Sequence, residues 1–306
     1  MPNPLQPPEL TPRHLRYFVA TAECGSTAAA GRALNVSQPS VSAGILALEA
    51  AWGRPLFARH AGRGLQLTAF GRDMLAEARA ALAAFAALGM PDGGQSGAGR
   101  LTAGFFTTLA PAHMPGVLRH LRLAHPALQV EAAEADLEEL ETRLLDGILE
   151  IALLYDVGLR GGLVLTPVAE LRPYALVAAD NPLADCAKVS LAELAQFPLV
   201  TLDLPLSRDT LLGPFLSRGL SPSIAYVSRS LDVVRGMVAH GHGVTLLYTR
   251  AAADCSYDGR PLRALALADD VAPQRLVVAH PRRSPETPLM QAFTEAVRAH
   301  LKEAGL

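Results

Sequence analysis

Leu15, Phe18, Val19 and Ala22 recur at the i, i+3, i+4, i+7 spacing of a helix with one buried face. Thr11-Pro12 ahead of them reads as an N-cap with proline in the first turn, and Gly25 as the stop. Ser26 caps a short second helix that turns Ala30, Ala33 and Leu34 inward, and Asn35-Val36 makes a turn. Ser37 caps a third helix, with Pro39 tolerated in its first turn and Val41, Ile45 and Leu48 facing the core. The small residues Ala29, Ala30 and Ala33 let the second and third helices approach closely, as a helix-turn-helix requires. Any small three-helix bundle fits the same periodicity.

The segments 56–59 and 65–67 are short strand candidates around His60-Ala61-Gly62-Arg63-Gly64. They read as a hairpin, or wing, whose Arg59 and Arg63 sit where phosphate or the minor groove would be met; a solvated loop is the plainer reading. Thr68 then caps a long helix. Its apolar positions Phe70, Met74, Ala78, Ala81, Phe85 and Leu88 step by four and three, and Leu75 and Leu82 widen the stripe. Such a helix needs a cover, and its own copy in a dimer is the simplest one. Phe70, Met74, Leu82 and Phe85 are the expected dimerisation residues. PDGGQSGAG at 91–99 is the clearest linker.

From Arg100 onward the pattern alternates. Strands are expected at 101–106, 128–133, 148–154, 174–178, 199–202, 244–247 and 276–279, and helices at 111–123, 137–146, 209–216, 231–240 and 287–302. This predicts an α/β body with mainly parallel sheets. The expected organisation is an unstructured start (1–9), a winged helix-turn-helix (10–67), a linker helix and hinge (68–98) and a two-lobed body (99–306). One lobe takes 99–171 with 275–306, and the other takes 172–274.

Net charge narrows the function by region only. The whole chain of 306 residues stands at -2, but residues 10–67 hold six arginines against two glutamates, a local charge of +4. From Thr68 onward there are 21 basic and 26 acidic residues. A basic head for phosphate and a mildly acidic body follow from that asymmetry. The three scattered cysteines (24, 186, 255) suit a reducing compartment. With neither a signal-peptide pattern nor an apolar run of membrane-spanning length, the expected location is the cytoplasm, away from any membrane.

The stretch LRYFVATAECGSTAAAGRALNVSQPSVSAGILALEAAWGRPLFARHAGRGLQLTAFG resembles the LysR-type transcriptional regulators. The matching residues include Leu15-Arg16-Tyr17-Phe18, Gly25-Ser26, Ala29-Ala30, Val36-Ser37-Gln38-Pro39-Ser40, Ser42, Leu48-Glu49, Gly53, Leu56-Phe57, Arg59 and Leu67-Thr68. The later LTAGFFTTLAPAHMPGVL, LLDGILEIALL and VAHGHGVTLL are similar to the family's effector domain. The resemblance implies a dimer or tetramer that binds double-stranded promoter DNA and works with RNA polymerase. It also implies a body resembling periplasmic solute-binding proteins, with a small effector between its lobes.

Three departures bear on DNA reading. Ala43, followed by Gly44, stands where the family usually has a long polar or basic residue; Thr27 replaces a usual aromatic; Leu46 lacks the polarity common there. Base reading then falls to short atoms at the helix start. The expected DNA-binding residues are Thr27, Ser37, Gln38, Pro39, Ser40 and Ser42, with Arg59 and Arg63 of the wing. The expected effector residues are Thr107 and Thr108, at a helix start with free N–H groups, and by looser alignment Leu137, Tyr155, Leu204, Pro205, Ser207 and His242.

His240-Gly241-His242 lacks companions at ligand spacing, and neither a nucleophile elbow nor a phosphate loop occurs, so no metal, cofactor or enzymatic activity is expected. An architectural DNA-binding protein of weak specificity is the alternative that the missing cations favour. An enzyme or solute-binding protein fused to a small bundle is a third.

Overall fold

The computed structural model describes residues 10–60, 64–88, 99–205 and 207–306. They fall into two compact units, one of residues 1–97 with 143–149 and one of 98–142 with 150–306.

The first unit begins with α1 (Pro12–Cys24), α2 (Thr27–Ala33) and α3 (Gln38–Trp52). Thr11, Ser26 and Ser37 cap them by accepting from the backbone N–H of His14, Ala29 and Ser40. Asn35 makes the turn between α2 and α3 at φ 54°, the only positive φ outside glycine among the described residues. A short polar side chain tolerates that left-handed conformation.

Close packing is achieved with fewer alanines than the sequence suggests. Ala30 is fully buried, whereas Ala29 is half-buried and Ala33 exposed. A close approach between α1 and α3 is at Gly44, which faces inward on α3: a Cβ there would stand 2.6 Å from the Tyr17 ring on α1. Gly44 is therefore a packing residue of the bundle and is not part of the outward face.

The wing pairs β1 (Phe57–His60) with β2 (Gly64–Leu67), antiparallel. Glu49 of α3 docks it, accepting the N–H of Leu56 at 2.7 Å and of Phe57 at 3.3 Å. α4 (Ala69–Leu88) starts at Thr68, whose hydroxyl accepts from Gly71 N at 2.9 Å. Its first half completes the core: Leu75 and Ala78 are buried with Phe18, Leu48 and Leu56, and Phe70 and Met74 pack against that cluster. Phe70 also meets Trp52 edge-on at 6.2 Å and lies 4.3 Å under the Arg54 guanidinium.

The second unit carries two main sheets. β3 (Gly99–Phe106), α5 (Ala110–Ala124), β4 (Leu128–Ala135), α6 (Leu137–Leu145), β5 (Ile151–Tyr155) and β6 (Leu163–Leu171) come first. The chain then passes to β7 (Tyr174–Ala178), β8 (Lys188–Val189), α7 (Leu191–Leu194), β9 (Leu199–Leu202), α8 (Ser207–Leu216), β10 (Ile224–Ser228), α9 (Leu231–Ala239), β11 (Thr245–Leu247) and β12 (Leu262–Leu267). It returns through β13 (Gln274–Pro281) and ends in α10 (Pro288–Glu303). The sheets run β4-β3-β5-β13-β6 and β11-β7-β12-β8, with β9 and β10 as a parallel pair.

The sheets are mixed, which corrects the expectation of mainly parallel pairing. β3 is parallel to β4 and β5, but the returning β13 is antiparallel to both β5 and β6, and β7 is antiparallel to β11 and β12. The unexpected strands β6, β8, β10 and β12 lack clean alternation. β6 carries Pro167 at a register shift and lies on a sheet edge, where a proline costs no ladder bond.

Two predictions follow from this packing. Gly44→Ala should lower the stability of the first unit by about 1–3 kcal/mol, because the buried Tyr17 ring cannot step aside freely. Trp52, the single tryptophan, lies beside that core, so its fluorescence during urea unfolding reads the change directly; an unaltered midpoint would refute the contact's importance. In the second unit, His113 on α5 is buried with its Nδ1 3.2 Å from His300 Nε2 on α10. Burial, and secondarily His300, lowers its pKa to about 4. The folded value lies below the unfolded one, so the unfolded chain takes up the proton first. Stability should fall as pH drops from about 6.5 to 4, by up to about 1.4 kcal/mol per pH unit. In circular-dichroism melts His113→Asn should flatten that slope; an equally steep slope in the variant would place its origin elsewhere.

Candidate functional sites: an exposed helix face and a cavity

On α3 the inward positions are Val41, Gly44, Ile45 and Leu48. The 3.6-residue period leaves Gln38, Pro39, Ser40, Ala43, Leu46 and Ala47 exposed, with Ser42 half-buried at their edge. Gln38 is braced: its Nε2 donates to Thr27 Oγ1 at 3.3 Å and to Ser42 Oγ at 3.1 Å. Ser37 and Ser40 share a hydroxyl–hydroxyl bond of 2.8 Å.

The expected residues Thr27, Ser37, Gln38, Pro39, Ser40 and Ser42 thus form one patch at the start of α3. For Arg59 only the backbone, in β1 opposite Leu65, is described. Arg63 lies outside the described residues. Leu46, noted for its missing polarity but left out of the expected DNA-binding residues, is 62 % exposed. Its signal was positional: residue 46 falls outside the 41, 45, 48 stripe.

The expected dimerisation stripe divides. Phe70 and Met74 are engaged in the chain's own core, which corrects their assignment to a partner-facing surface. Leu82 is half-buried and Phe85 is 52 % exposed. The period of four and three is the same whether a helix packs on its own unit or on a copy.

The second unit holds a cleft, open to solvent on one side, whose tightest interior is about 30 Å³. Phe106, Thr108, Tyr155, Val157 and Gln274 come from the strands and strand ends of the first sheet, and Leu137 from the start of α6. Leu202 of β9, Thr210 and Leu211 of α8, Leu231 of α9, and Leu247, Tyr248 and Thr249 at the end of β11 line the other side. Leu137 and Leu231 are the first residues of α6 and α9, and Thr108 precedes α5. Asp136 and Ser230 cap α6 and α9, accepting from Glu139 N and Val233 N. The start of α5 has no side-chain cap.

The polar lining is hydroxyl-rich and neutral. Tyr155 Oη and Thr249 Oγ1 lie 2.6 Å apart, and Tyr174 Oη donates to the Thr249 carbonyl at 2.9 Å. Burial pushes the Tyr155 phenol far above its ordinary range, opposed in part by its bond to Thr249. Burial pushes Tyr174 up to about 12 and also raises Tyr248. All three phenols therefore keep their protons near neutrality. Beside the cavity, Arg229 pairs with Asp136 at 2.9 Å, joining the loop before α9 to the loop before α6.

Of the expected effector residues, Thr108, Leu137 and Tyr155 line this cavity. Thr107 is corrected: its hydroxyl turns to the Glu134 carboxylate. Leu204 is buried and Pro205 half-buried, and neither lines the cavity. Ser207 begins α8, and its side chain is outside the description. His242 is also corrected: it is exposed and packs edge-on against Tyr226 at 5.4 Å. His240 pairs separately with Asp258 at 2.8 Å. Thr249 was missed, although it directly continues the strand of GVTLLYT.

Residues 12–72 match the family described as bacterial regulatory helix-turn-helix protein, lysR family, and residues 94–302 match the LysR substrate binding domain. The HTH-type transcriptional regulator YnfL of Escherichia coli strain K12 is 31% identical over 299 residues, 95% of this chain and 98% of that one. The structure of HinK, a LysR family transcriptional regulator from Pseudomonas aeruginosa, is 33% identical with a TM-score of 0.65, covering 96% of this chain and 99% of that one. A full-length OxyR structure from the same organism has a TM-score of 0.77, with 95% and 98% covered; at 22% identity it speaks for the fold alone.

Proposed function

The chain belongs to the lysR family of bacterial regulatory helix-turn-helix proteins, and from that premise we propose how its two sites divide the work. It is a DNA-binding transcriptional regulator with an effector-binding domain. The observation that carries the division is the presence in one chain of an exposed, hydroxyl-edged α3 and a cleft flanked by three helix starts. We assign base reading to Gln38, Pro39, Ser40 and Ser42, and phosphate contact to Arg59 and Arg63 of the wing. The chain switches promoter activity without turning over its ligand, and acts through RNA polymerase in the cytoplasm, where promoter DNA lies. Among the described residues, no helix is long and apolar enough to cross a membrane.

The cavity favours an uncharged effector bearing a carbonyl. Leucine, valine and phenylalanine supply most of its walls, and its described polar groups are hydroxyls and one amide. The uncapped start of α5 beside Thr108 can donate to an acceptor. A charged ligand would lose its hydration without a counter-charge in that lining. Binding there bridges the two sheets and can shift the lobes against each other, the hinge-type change that such regulators need.

Three experiments test these assignments. In thermal-shift titrations, neutral phenolic ketones and amides should stabilise the full-length protein more than dicarboxylates or amines of equal size. Thr108→Val should weaken that stabilisation about tenfold or more in apparent Kd while leaving promoter binding intact, since an unpaired polar ligand group costs roughly 1–3 kcal/mol. Stabilisation by charged compounds alone would overturn the effector class. Promoter transcription with purified polymerase should change on adding the best stabiliser. The dimer contact is assigned to the exposed end of α4: Phe85→Asp should convert dimers to monomers in sedimentation and weaken promoter binding. A wild-type monomer at micromolar concentration would sink it.

A further inference from the structure

α3 carries one ionised residue in its fifteen, Glu49, and that carboxylate is spent holding the wing through the N–H groups of Leu56 and Phe57. Its outward face has no arginine or lysine. It cannot make the bidentate contact to guanine O6 and N7 on which positively charged reading helices rely. Gln38, the longest polar side chain on that face, has its amide nitrogen committed to Thr27 and Ser42. Its carbonyl oxygen is left to accept from a base amino group.

What the helix presents instead is an apolar ridge. Pro39, Ala43 and Leu46 follow one another at steps of four and three, all exposed. Leu46 is 62 % exposed, which is a large apolar surface to leave in water on a helix that otherwise buries its hydrophobic residues well. The ridge runs about 10 Å along the helix axis, the reach of roughly three base pairs. In the major groove the apolar feature at that depth is the thymine C5 methyl, and no other base offers one.

Resting on the reading of α3 as the base-reading helix, we infer that Leu46, supported by Ala43 and Pro39, is a specificity-determining residue that selects thymine methyls in each half-site. The selected DNA is then A·T-rich under α3. Discrimination there comes from burying methyl groups, with Gln38 adding one acceptor contact. The wing and backbone contacts set affinity without sequence. The inference also gives the exposed leucine a reason: its cost in water is recovered only on the right sequence.

The test uses the full-length protein and a random-sequence duplex library. Sites selected by the wild type are resynthesised with single thymines replaced by uracil, which removes the methyl and leaves the pairing edge unchanged. Fluorescence-anisotropy titrations then compare wild type with Leu46→Ala. At one or two thymines per half-site, uracil should weaken wild-type binding about fourfold for each methyl lost. In Leu46→Ala the thymine and uracil duplexes should be bound alike at the position Leu46 covers. Leu46 is exposed, so folding does not confound the variant, and a matching urea midpoint from Trp52 fluorescence checks it. Selected sites that bind but show no uracil-sensitive thymine, or a penalty that persists in Leu46→Ala, overturn this inference and leave the DNA-binding function standing. Failure of the wild type to bind any duplex removes that function, and this inference with it.

Discussion

A helix start leaves backbone N–H groups without partners, and this constraint shapes both working parts of the chain. Thr11, Ser26, Ser37 and Thr68 meet it in the first unit, and Asp136, Ser190, Ser230 and Thr287 in the second, each accepting from an amide of the first turn. The caps fix where each helix begins and therefore which residues of the next turns look outward. On α3, Ser37 as cap places Gln38, Pro39 and Ser40 at the exposed tip. In the second unit the capped starts of α6 and α9 put Leu137 and Leu231 in the cavity wall. The start of α5, without a side-chain cap, is where a ligand can supply what the sequence leaves out.

Both sites share a second property, which is neutrality. The described side chains around the cavity carry hydroxyls, one amide and apolar groups, and burial keeps the phenols of Tyr155, Tyr174 and Tyr248 protonated. The outward face of α3 is equally free of charge, because Glu49 is turned to the wing. Charge is held outside these surfaces, in pairs such as Asp136–Arg229 and in the arginines of the basic head. Selectivity at each site therefore depends on shape and on hydrogen bonds of fixed direction. Attraction at a distance is left to the arginines.

Legibility varied with how local the signal was. The caps at Thr11, Ser26, Ser37 and Thr68, the Asn35 turn, and the order of the three N-terminal helices could all be read, because each depends on a few neighbouring residues. Thr27, Gln38 and Ser42 were singled out by resemblance, and their hydrogen bonds to one another appear only in the structure. In the second unit the helices were largely legible, but β6, β8, β10 and β12 were not. Their side chains do not alternate, and their pairing is with strands far away in sequence. Thr108, Leu137 and Tyr155 were found by resemblance at strand and helix ends. Thr249, Tyr248 and Gln274 were not, since nothing in their own neighbourhoods marks them as facing one space.

The sequence by itself determined the helix boundaries, the basic head, the hairpin behind the third helix and the alternation of strand and helix in the body. These follow from periodicity, capping and composition, which act within a turn or two of chain. Only the tertiary structure decided what each apolar or small residue is for. Gly44 reads as an outward gap and is an inward contact on Tyr17. Phe70 and Met74 read as a partner face and pack on their own core, and how far Leu46 stands out into water is fixed only by the packing of Val41, Ile45 and Leu48 beside it. A 3.6-residue period tells that a helix has faces. Which face meets solvent, and which strands run antiparallel, depends on contacts between residues tens or hundreds of positions apart, and local pattern carries no record of them.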